Sequence, residues 1–311
     1  MQTRRAIPRH DLWRENYRAV RDLDHLASEN LSHRLFDCIN NARARTEQGK
    51  LGFVSIETAE EWWIMFTEVL EECSLRGYSY PGPINISEFR EAFEDAFKPI
   101  PNMEPHLQRV RGSPFIIKFG DSAWMSDTID TGEFLLSPAS YYEQNKHNHA
   151  RRDRELSRIV IPNPRGKYAS SFLSRRGLIT PKVSVFDGVE LQEDYDYYLF
   201  SLTSSYSSRL FGDFSANACL VIHKPKIFLQ KLIEAASKCI FSGRPEISAI
   251  NYYDPVRTDP SLINIPFWKP FGYSYQKELR VIWTVSPQQR ILPRVRVRVG
   301  SLRDCARLVT I

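Results

Sequence analysis

The sequence has few of the features that usually announce a chemistry. Its five cysteines (Cys38, Cys73, Cys219, Cys239 and Cys305) are scattered, odd in number and form no C-x-x-C pair. That spacing lacks the signature of structural zinc and argues against a disulfide framework, so reduced, buried thiols are expected. No apolar run approaches the roughly 18–20 residues that a membrane span needs. The start, Met1-Gln2-Thr3-Arg4-Arg5, runs into Pro8, His10 and Asp11 instead of an apolar stretch, so a secretory signal is not expected. Together these absences predict a cytoplasmic protein without membrane contact. The phosphate-binding loop G-x-x-x-x-G-K-[ST], the dinucleotide fingerprint G-x-G-x-x-G, the zinc motif H-E-x-x-H and the nucleophile elbow G-x-S-x-G are also missing. His147-x-His149 lies among Lys146, Arg151 and Arg152, whose charges would repel a cation, and no metal is expected.

What is present is ordinary globular material. The 311 residues are 42% hydrophobic and 25% charged, with a net charge of +5. This length allows two domains of roughly 100–200 residues, and no segment reads as low-complexity. The charge permits an anionic partner without demanding one.

Residues 1–111 read as a helical N-terminal region. Trp13, Tyr17 and Val20, then Leu31, Leu35 and Cys38, recur at helical spacing over 11–45. Thr58-x-x-Glu61 looks like a capping box ahead of an apolar stripe through Trp62, Met65, Phe66, Val69, Leu70 and Cys73. A further helix is expected over 85–97, and Pro99, Pro101 and Pro105 mark a junction. The region holds no catalytic constellation, and its aromatic stripes read as core.

After Pro114 the period shortens and residues 112–311 read as a second domain. Strands are expected at 115–119, 133–137, 183–186, 197–202, 218–223, 247–253, 278–285 and 294–299, with a helix opening at Pro225 and a short one from Ser122 to Ile129. Many strands with few helices predict an α+β fold with a split, mixed sheet; regular βαβ alternation is absent. Residues 143–180 are polar, basic and turn-rich, and read as an excursion over the surface.

The residues that carry chemistry are spread through this domain. Lys118-Phe119-Gly120 ends the first strand with a cation. Gly132-Glu133-Phe134-Leu135-Leu136-Ser137-Pro138 runs into Tyr141-Tyr142. Late in the chain, Trp268-Lys269 leads through Phe271-Gly272-Tyr273-Ser274-Tyr275 into Gln276-Lys277-Glu278-Leu279-Arg280-Val281. A carboxylate at the mouth of an apolar strand is costly to place there without a role. The plain alternative is a surface salt bridge from Glu278 to Lys277 or Arg280.

This order of a basic residue on the first strand, a Ser/Tyr segment on the second and Q-x-E late in the domain resembles the ADP-ribosyltransferase superfamily. The elements K-F-G, G-E-F-L-L-S-P, Y-L-F-S-L and Y-Q-K-E-L-R-V look most like its bacterial toxin and antiphage branch, the mRNA-modifying transferases of CmdT type. The resemblance spans roughly residues 112–290 and leaves the N-terminal region unexplained. It implies an NAD-dependent mono-ADP-ribosyltransferase acting on nucleic acid, RNA above all, with an antitoxin or chaperone as a conceivable partner. Glu278 and Gln276 would be catalytic. Lys118, Phe119, Ser137, Tyr141, Tyr142 and Ser201 would hold NAD. Lys118 stands where the family usually has Arg or His, and the middle serine element has two candidates, 137–140 and 201–204.

The chemistry fits these residue types. Cleaving the nicotinamide–ribose bond builds positive charge on the sugar, as in glycoside hydrolysis. A carboxylate at Glu278 stabilises that cation and assists deprotonation of an acceptor. Lys118 would neutralise the pyrophosphate, a tyrosine would stack on nicotinamide, and Gln276 would orient the nucleophile. A cleft carboxylate contributes little to folding, so Glu278→Gln is expected to leave stability intact.

For the acceptor, Arg151, Arg152, Arg154 and Arg158 cluster in the excursion. Arg294, Arg296 and Arg298 alternate with valines, which on a strand sets three guanidinium groups on one face. A solvated face is the plain reading and a phosphate track the sharper one. A non-enzymatic nucleic-acid-binding or protein-interaction module on a degenerate transferase-like fold is the rival class. A nuclease is a second rival, without a convincing cluster of metal ligands.

Overall fold

A computed structural model describes residues 8–45, 51–78, 107, 112–143, 154–164, 188–240, 245–285 and 292–310. The expected helix over 85–97, the junction prolines, the strand at 183–186, the 147–149 histidines and Arg151 and Arg152 lie outside the described residues.

The first part is helical, as its periodicity predicts: α1 (Arg9–Val20), α2 (Ser28–Ala42) and α3 (Glu60–Leu75), with a short hairpin of β1 (Arg43–Arg45) and β2 (Leu51–Phe53) between α2 and α3. Tyr17, Leu31, Leu35, Val69 and Cys73 bury the apolar stripes against one another. The capping box does not form. α3 starts at Glu60 after Ala59 with no side-chain cap, because Thr58 sits in the preceding turn, its hydroxyl 3.1 Å from that of Ser55. This helical unit is joined to the rest of the chain by a shared core, since Val256 and Ile161 pack into it. Arg34 also forks onto Asp254 at 2.7 and 2.6 Å.

The second part is α+β. β3 (Ile116–Gly120), β4 (Glu133–Pro138), β7 (Tyr197–Thr203), β8 (Ala218–Ile222), β9 (Glu246–Ala249), β12 (Glu278–Thr284), β13 (Val295–Arg298) and β14 (Ala306–Thr310) form one sheet. Every pairing within it is antiparallel. The mixed sheet expected from the sequence is therefore corrected for this main body. A parallel ladder occurs only apart from it among the described residues, between β10 (Asn251–Tyr253) and β11 (Trp268–Pro270). One stretch expected as a single strand, 247–253, is thus two, and the chain changes sheets at Ile250. In the excursion, β5 (Ser157–Val160) pairs β6 (Val189–Gln192).

On one face of the sheet lie α4 (Ser122–Thr131) and α7 (Pro225–Ser237). Met125, Ile129, Phe228 and Leu232 pack there on Phe134, Phe200, Leu220 and Trp283. α4 ends at Gly132, whose φ of 61° lets its N–H close onto the Thr128 carbonyl at 2.8 Å before the chain enters β4. Beyond β3 and β8 a second core holds Phe119, Cys219 and Phe211, the last from α6 (Arg209–Asp213).

The sheet is split at β7. One edge of β7 pairs β12 over its whole length, Tyr197 opposite Thr284 through Thr203 opposite Glu278. Its other edge is shared: β4 takes Tyr198 and Leu199, whereas β3 touches only Thr203. Between these pairings, Phe200, Ser201 and Leu202 face a wedge with β3 on one side and β4 on the other.

Candidate functional site

That wedge is a cavity of about 500 Å³. Its lining includes Lys118, Phe119, Ser137, Tyr141, Tyr142, Ser201, Gln276 and Glu278, so every catalytic and cofactor residue expected from the sequence comes to one place. Each arrives for a local reason. Lys118, Phe119, Ser137 and Ser201 ride on the strands that diverge. Tyr141 and Tyr142 belong to the single turn α5 (Ala139–Tyr142) that ends β4. Gln276 closes a 3₁₀ segment, Phe271–Gln276, and the left-handed Lys277, with φ of 45°, turns the chain into β12. Strand alternation then sets Glu278, Arg280 and Ile282 on the face opposite the main core.

Glu278 is the centre of a buried charge network. Its side chain is 6% exposed, and Oε1 accepts from Arg280 Nε at 2.7 Å. Oε2 lies 2.9 Å from Lys269 Nζ as an ion pair, yet no hydrogen bond of good geometry reaches that oxygen. Arg280, fully buried, also donates to Glu155 at 2.6 Å and to the Pro266 carbonyl at 2.8 Å. Burial alone would raise the Glu278 pKa, but Arg280, Lys269 and a hydrogen bond from Ser201 outweigh it and hold the carboxyl well below the usual range. Glu278 is therefore an anion at neutral pH. It can stabilise a neighbouring cation, but so low a pKa makes it a weak base for deprotonating an acceptor.

This geometry corrects two expectations. The Arg280 salt bridge exists but is not a surface pair, since both partners are buried. Consequently Glu278→Gln is not neutral for folding, because removing one partner of a buried pair leaves the other uncompensated.

Lys118 lines the cavity and also makes contacts within the protein. Its Nζ donates to the Ser201 carbonyl at 2.7 Å and lies 4.4 Å from the centre of the Phe200 ring. The ammonium thereby bridges β3 to the stretch of β7 where strand pairing lapses. Ser137 and Ser201 are both in the cavity. Ser201 bonds Glu278, while the Ser137 hydroxyl receives Arg294 Nε at 3.2 Å and bonds Tyr142. Of the two serine candidates, Ser201 is the one at the carboxylate. Burial, offset in part by that Ser137 bond, pushes the Tyr142 pKa up to about 12, so it stays a neutral hydroxyl.

The arginine face is divided by the fold. Arg296 and Arg298 point outward from β13 as the alternation predicts, but both pair with Glu133 of the adjoining β4, at 2.7 and 2.8 Å. Arg294 instead stands at the cavity, its guanidinium 4.3 Å from the centre of the Tyr141 ring. In the excursion, Arg158 is not a solvated cation. It is 2% exposed, pairs Glu155 at 3.3 Å and donates to the Trp268, Ser157 and Ile265 carbonyls.

The sequence pattern does not single out Glu155, and it places Lys269 at the head of the late aromatic segment without giving it a role. Glu155 shares a run of arginines with Asp153, and no local pattern connects it to residue 280. Among the described residues, no group of three His, Cys, Asp or Glu side chains could hold a metal, and no helix is long and apolar enough to cross a membrane. No protein-family model matches the chain, and no curated protein or solved structure matches it.

Proposed function

We propose that the chain is an NAD-dependent ADP-ribosyltransferase whose active site is the cavity in the split sheet. One observation carries the reading: an ionised, buried carboxylate lies in the wall of a cavity of about 500 Å³ beside Ser201 and Gln276. That volume falls in the range of small-molecule sites. Its neighbours Ser201 and Gln276 can orient it without cancelling its charge.

In this mechanism the bond from the ribose C1′ to the nicotinamide nitrogen breaks and the electron pair leaves with nicotinamide. Glu278 stabilises the cation left on the sugar. The acceptor nucleophile bonds to C1′ and gives its proton to solvent, since Glu278 holds protons too weakly to keep one. Arg294, stacked on Tyr141 at the mouth, is the cation placed to meet the diphosphate; Lys118 is occupied in holding the strands. The tyrosine pair, with rings at 88° and 5.6 Å, offers an aromatic wall for a base. RNA is the proposed acceptor, because Lys118, Lys269 and Arg294 make the cavity lining basic.

Labelled NAD offered to the protein alone, with RNA, with DNA and with cell lysate tests this reading. Label transfer to RNA with release of nicotinamide is the expected result. One observation favours a second reading. Arg280 and Lys269 clamp Glu278 more tightly than a stabiliser of substrate charge requires, as in a module that binds an anionic nucleotide and leaves it intact. Saturable NAD binding without nicotinamide release, with every acceptor offered, would establish that module.

A further inference from the structure

The N-terminal helices meet the segment that leads into the cavity, and Asn41 makes three hydrogen bonds to it. Asn41, near the end of α2, is 6% exposed, and its amide is fully used. Nδ2 donates to the Phe271 carbonyl at 2.8 Å and to the Asp37 carbonyl at 3.0 Å. Oδ1 accepts from the Ser274 hydroxyl at 2.8 Å and from the Tyr275 backbone N–H at 3.0 Å. Three of these four bonds fall on the Phe271–Gln276 segment, more than 200 residues later in the chain. The segment ends in Gln276 and leads directly into Glu278.

Other contacts from the helices converge there. Trp62 of α3 stacks on Phe271, with rings 5.8 Å apart and inclined by 12°. Arg34 lies over the same ring at 5.2 Å. At Gly272 the backbone runs so close to Asp37 that a Cβ would collide with its carboxylate. The far end of the segment is fixed from the sheet side, where the Thr203 hydroxyl donates to the Gln276 carbonyl at 2.5 Å and Ser204 N–H to that of Lys277 at 2.8 Å.

We infer that the N-terminal helical unit is a working part of the active site, with Asn41 as the positioning residue that sets Gln276 and Glu278 against the cavity. A 3₁₀ segment cannot hold its own backbone in one place, since its hydrogen bonds are few and poorly aligned. A side-chain amide is suited to the task because it supplies donors and acceptors together. Asn41 touches no substrate in this scheme; it acts through the backbone of 271–276. The catalytic half of the inference rests on the proposed transferase reading, whereas the positioning half does not.

The test compares wild type, Asn41→Leu and the milder Asn41→Ala with Tyr17→Phe. The last removes the 2.6 Å bond from Tyr17 to Glu72 inside the helical unit and leaves the segment alone. Amide exchange of the full chain is followed by mass spectrometry. Peptides covering 271–278 should lose protection about tenfold in the Asn41 variants, the scale of one or two lost hydrogen bonds. Those covering β7 and β8 should keep theirs. Tyr17→Phe should lower the melting temperature without loosening 271–278. In nicotinamide release, the Asn41 variants should lose about ten- to a hundredfold in kcat, with a smaller change in KM. Unchanged protection over 271–278, protection lost equally across the chain, or full kcat in a loosened segment would each overturn the inference. If wild type releases no nicotinamide, the transferase reading and the catalytic role of Asn41 fall together. The positioning role is then decided by exchange alone.

Discussion

Lys269 Nζ lies 2.9 Å from Glu278 Oε2, although the two residues belong to different sheets. Lys269 sits on the parallel β10–β11 ladder and Glu278 opens β12 of the main sheet, so their ion pair ties the two across the cavity floor. Four further buried or cavity-lining groups connect to it: Arg280, Glu155, Arg158 and Ser201. The site is thus a place where stability and chemistry are coupled.

Replacing Glu278 by Gln tests both at once. The amide keeps the shape but strips the charge that a developing sugar cation needs. Nicotinamide release should fall about a hundred- to a thousandfold, with NAD affinity changed far less. The melting temperature should fall as well, because breaking one partner of a buried ion pair costs about 3–5 kcal/mol and the amide recovers part of that. Loss of stability is therefore common to the catalytic and the structural role. A folded Glu278→Gln variant that releases nicotinamide at the wild-type rate ends the transferase proposal.

The same carboxylate fixes the acid limb of stability. Its folded pKa lies below the unfolded value of 4.5, so the stabilisation is fully present above that value and is lost as pH falls through the lower, folded pKa. Asp254 adds to this limb: burial would raise its pKa, but Arg34 and Arg257 bring it below 3.8. Melting temperatures should be level from pH 7 to about 5 and then drop, with a shallower drop in Glu278→Gln. An identical acid limb in wild type and variant would place the stabilisation elsewhere.

Lys118 and Arg294 should separate by readout. Lys118→Met removes the donor that bridges β3 to the Ser201 carbonyl and should lower the melting temperature, leaving that carbonyl unpaired at about 1–3 kcal/mol. Arg294→Ala should scarcely change the melting temperature while weakening NAD binding about tenfold, the scale of one charge-assisted hydrogen bond. Calorimetric titration with NAD and thermal melts on both variants check this. The reverse assignment would return the diphosphate to Lys118.

Glu133 offers a gain of function. It neutralises Arg296 and Arg298, so Glu133→Gln should release two guanidinium groups on the face beside the cavity. RNA binding by this variant should strengthen, and its dependence on salt should steepen by about one to two released counterions. Arg296→Ala combined with Arg298→Ala should then flatten it. Equal slopes in all three proteins would leave these arginines as ordinary surface charges.

Much of this fold follows from local pattern. Helical spacing placed the stripe of Val69 and Cys73, period two placed Val297 inside and Arg296 and Arg298 outside, and Pro225 and Gly132 opened and closed helices where their backbone chemistry requires. The resemblance implied a common site for Lys118, Ser137, Tyr141, Ser201, Gln276 and Glu278, and all six line one cavity. Local pattern failed at Thr58, whose cap was taken over by a turn with Ser55. It failed again at Ile250, where one apolar run serves two sheets.

The sequence by itself determined which residues face inward and which backbone turns are possible, because those depend on neighbours three or four positions away. Only the tertiary structure decided their electrostatic state. Glu133 neutralises arginines 163 and 165 positions later, Glu155 reaches Arg280, and Asn41 grips Phe271 and Tyr275. A charge is set by what lies within a few ångströms in space. Strand pairing and helix docking choose those neighbours, and nothing in a local window records the choice.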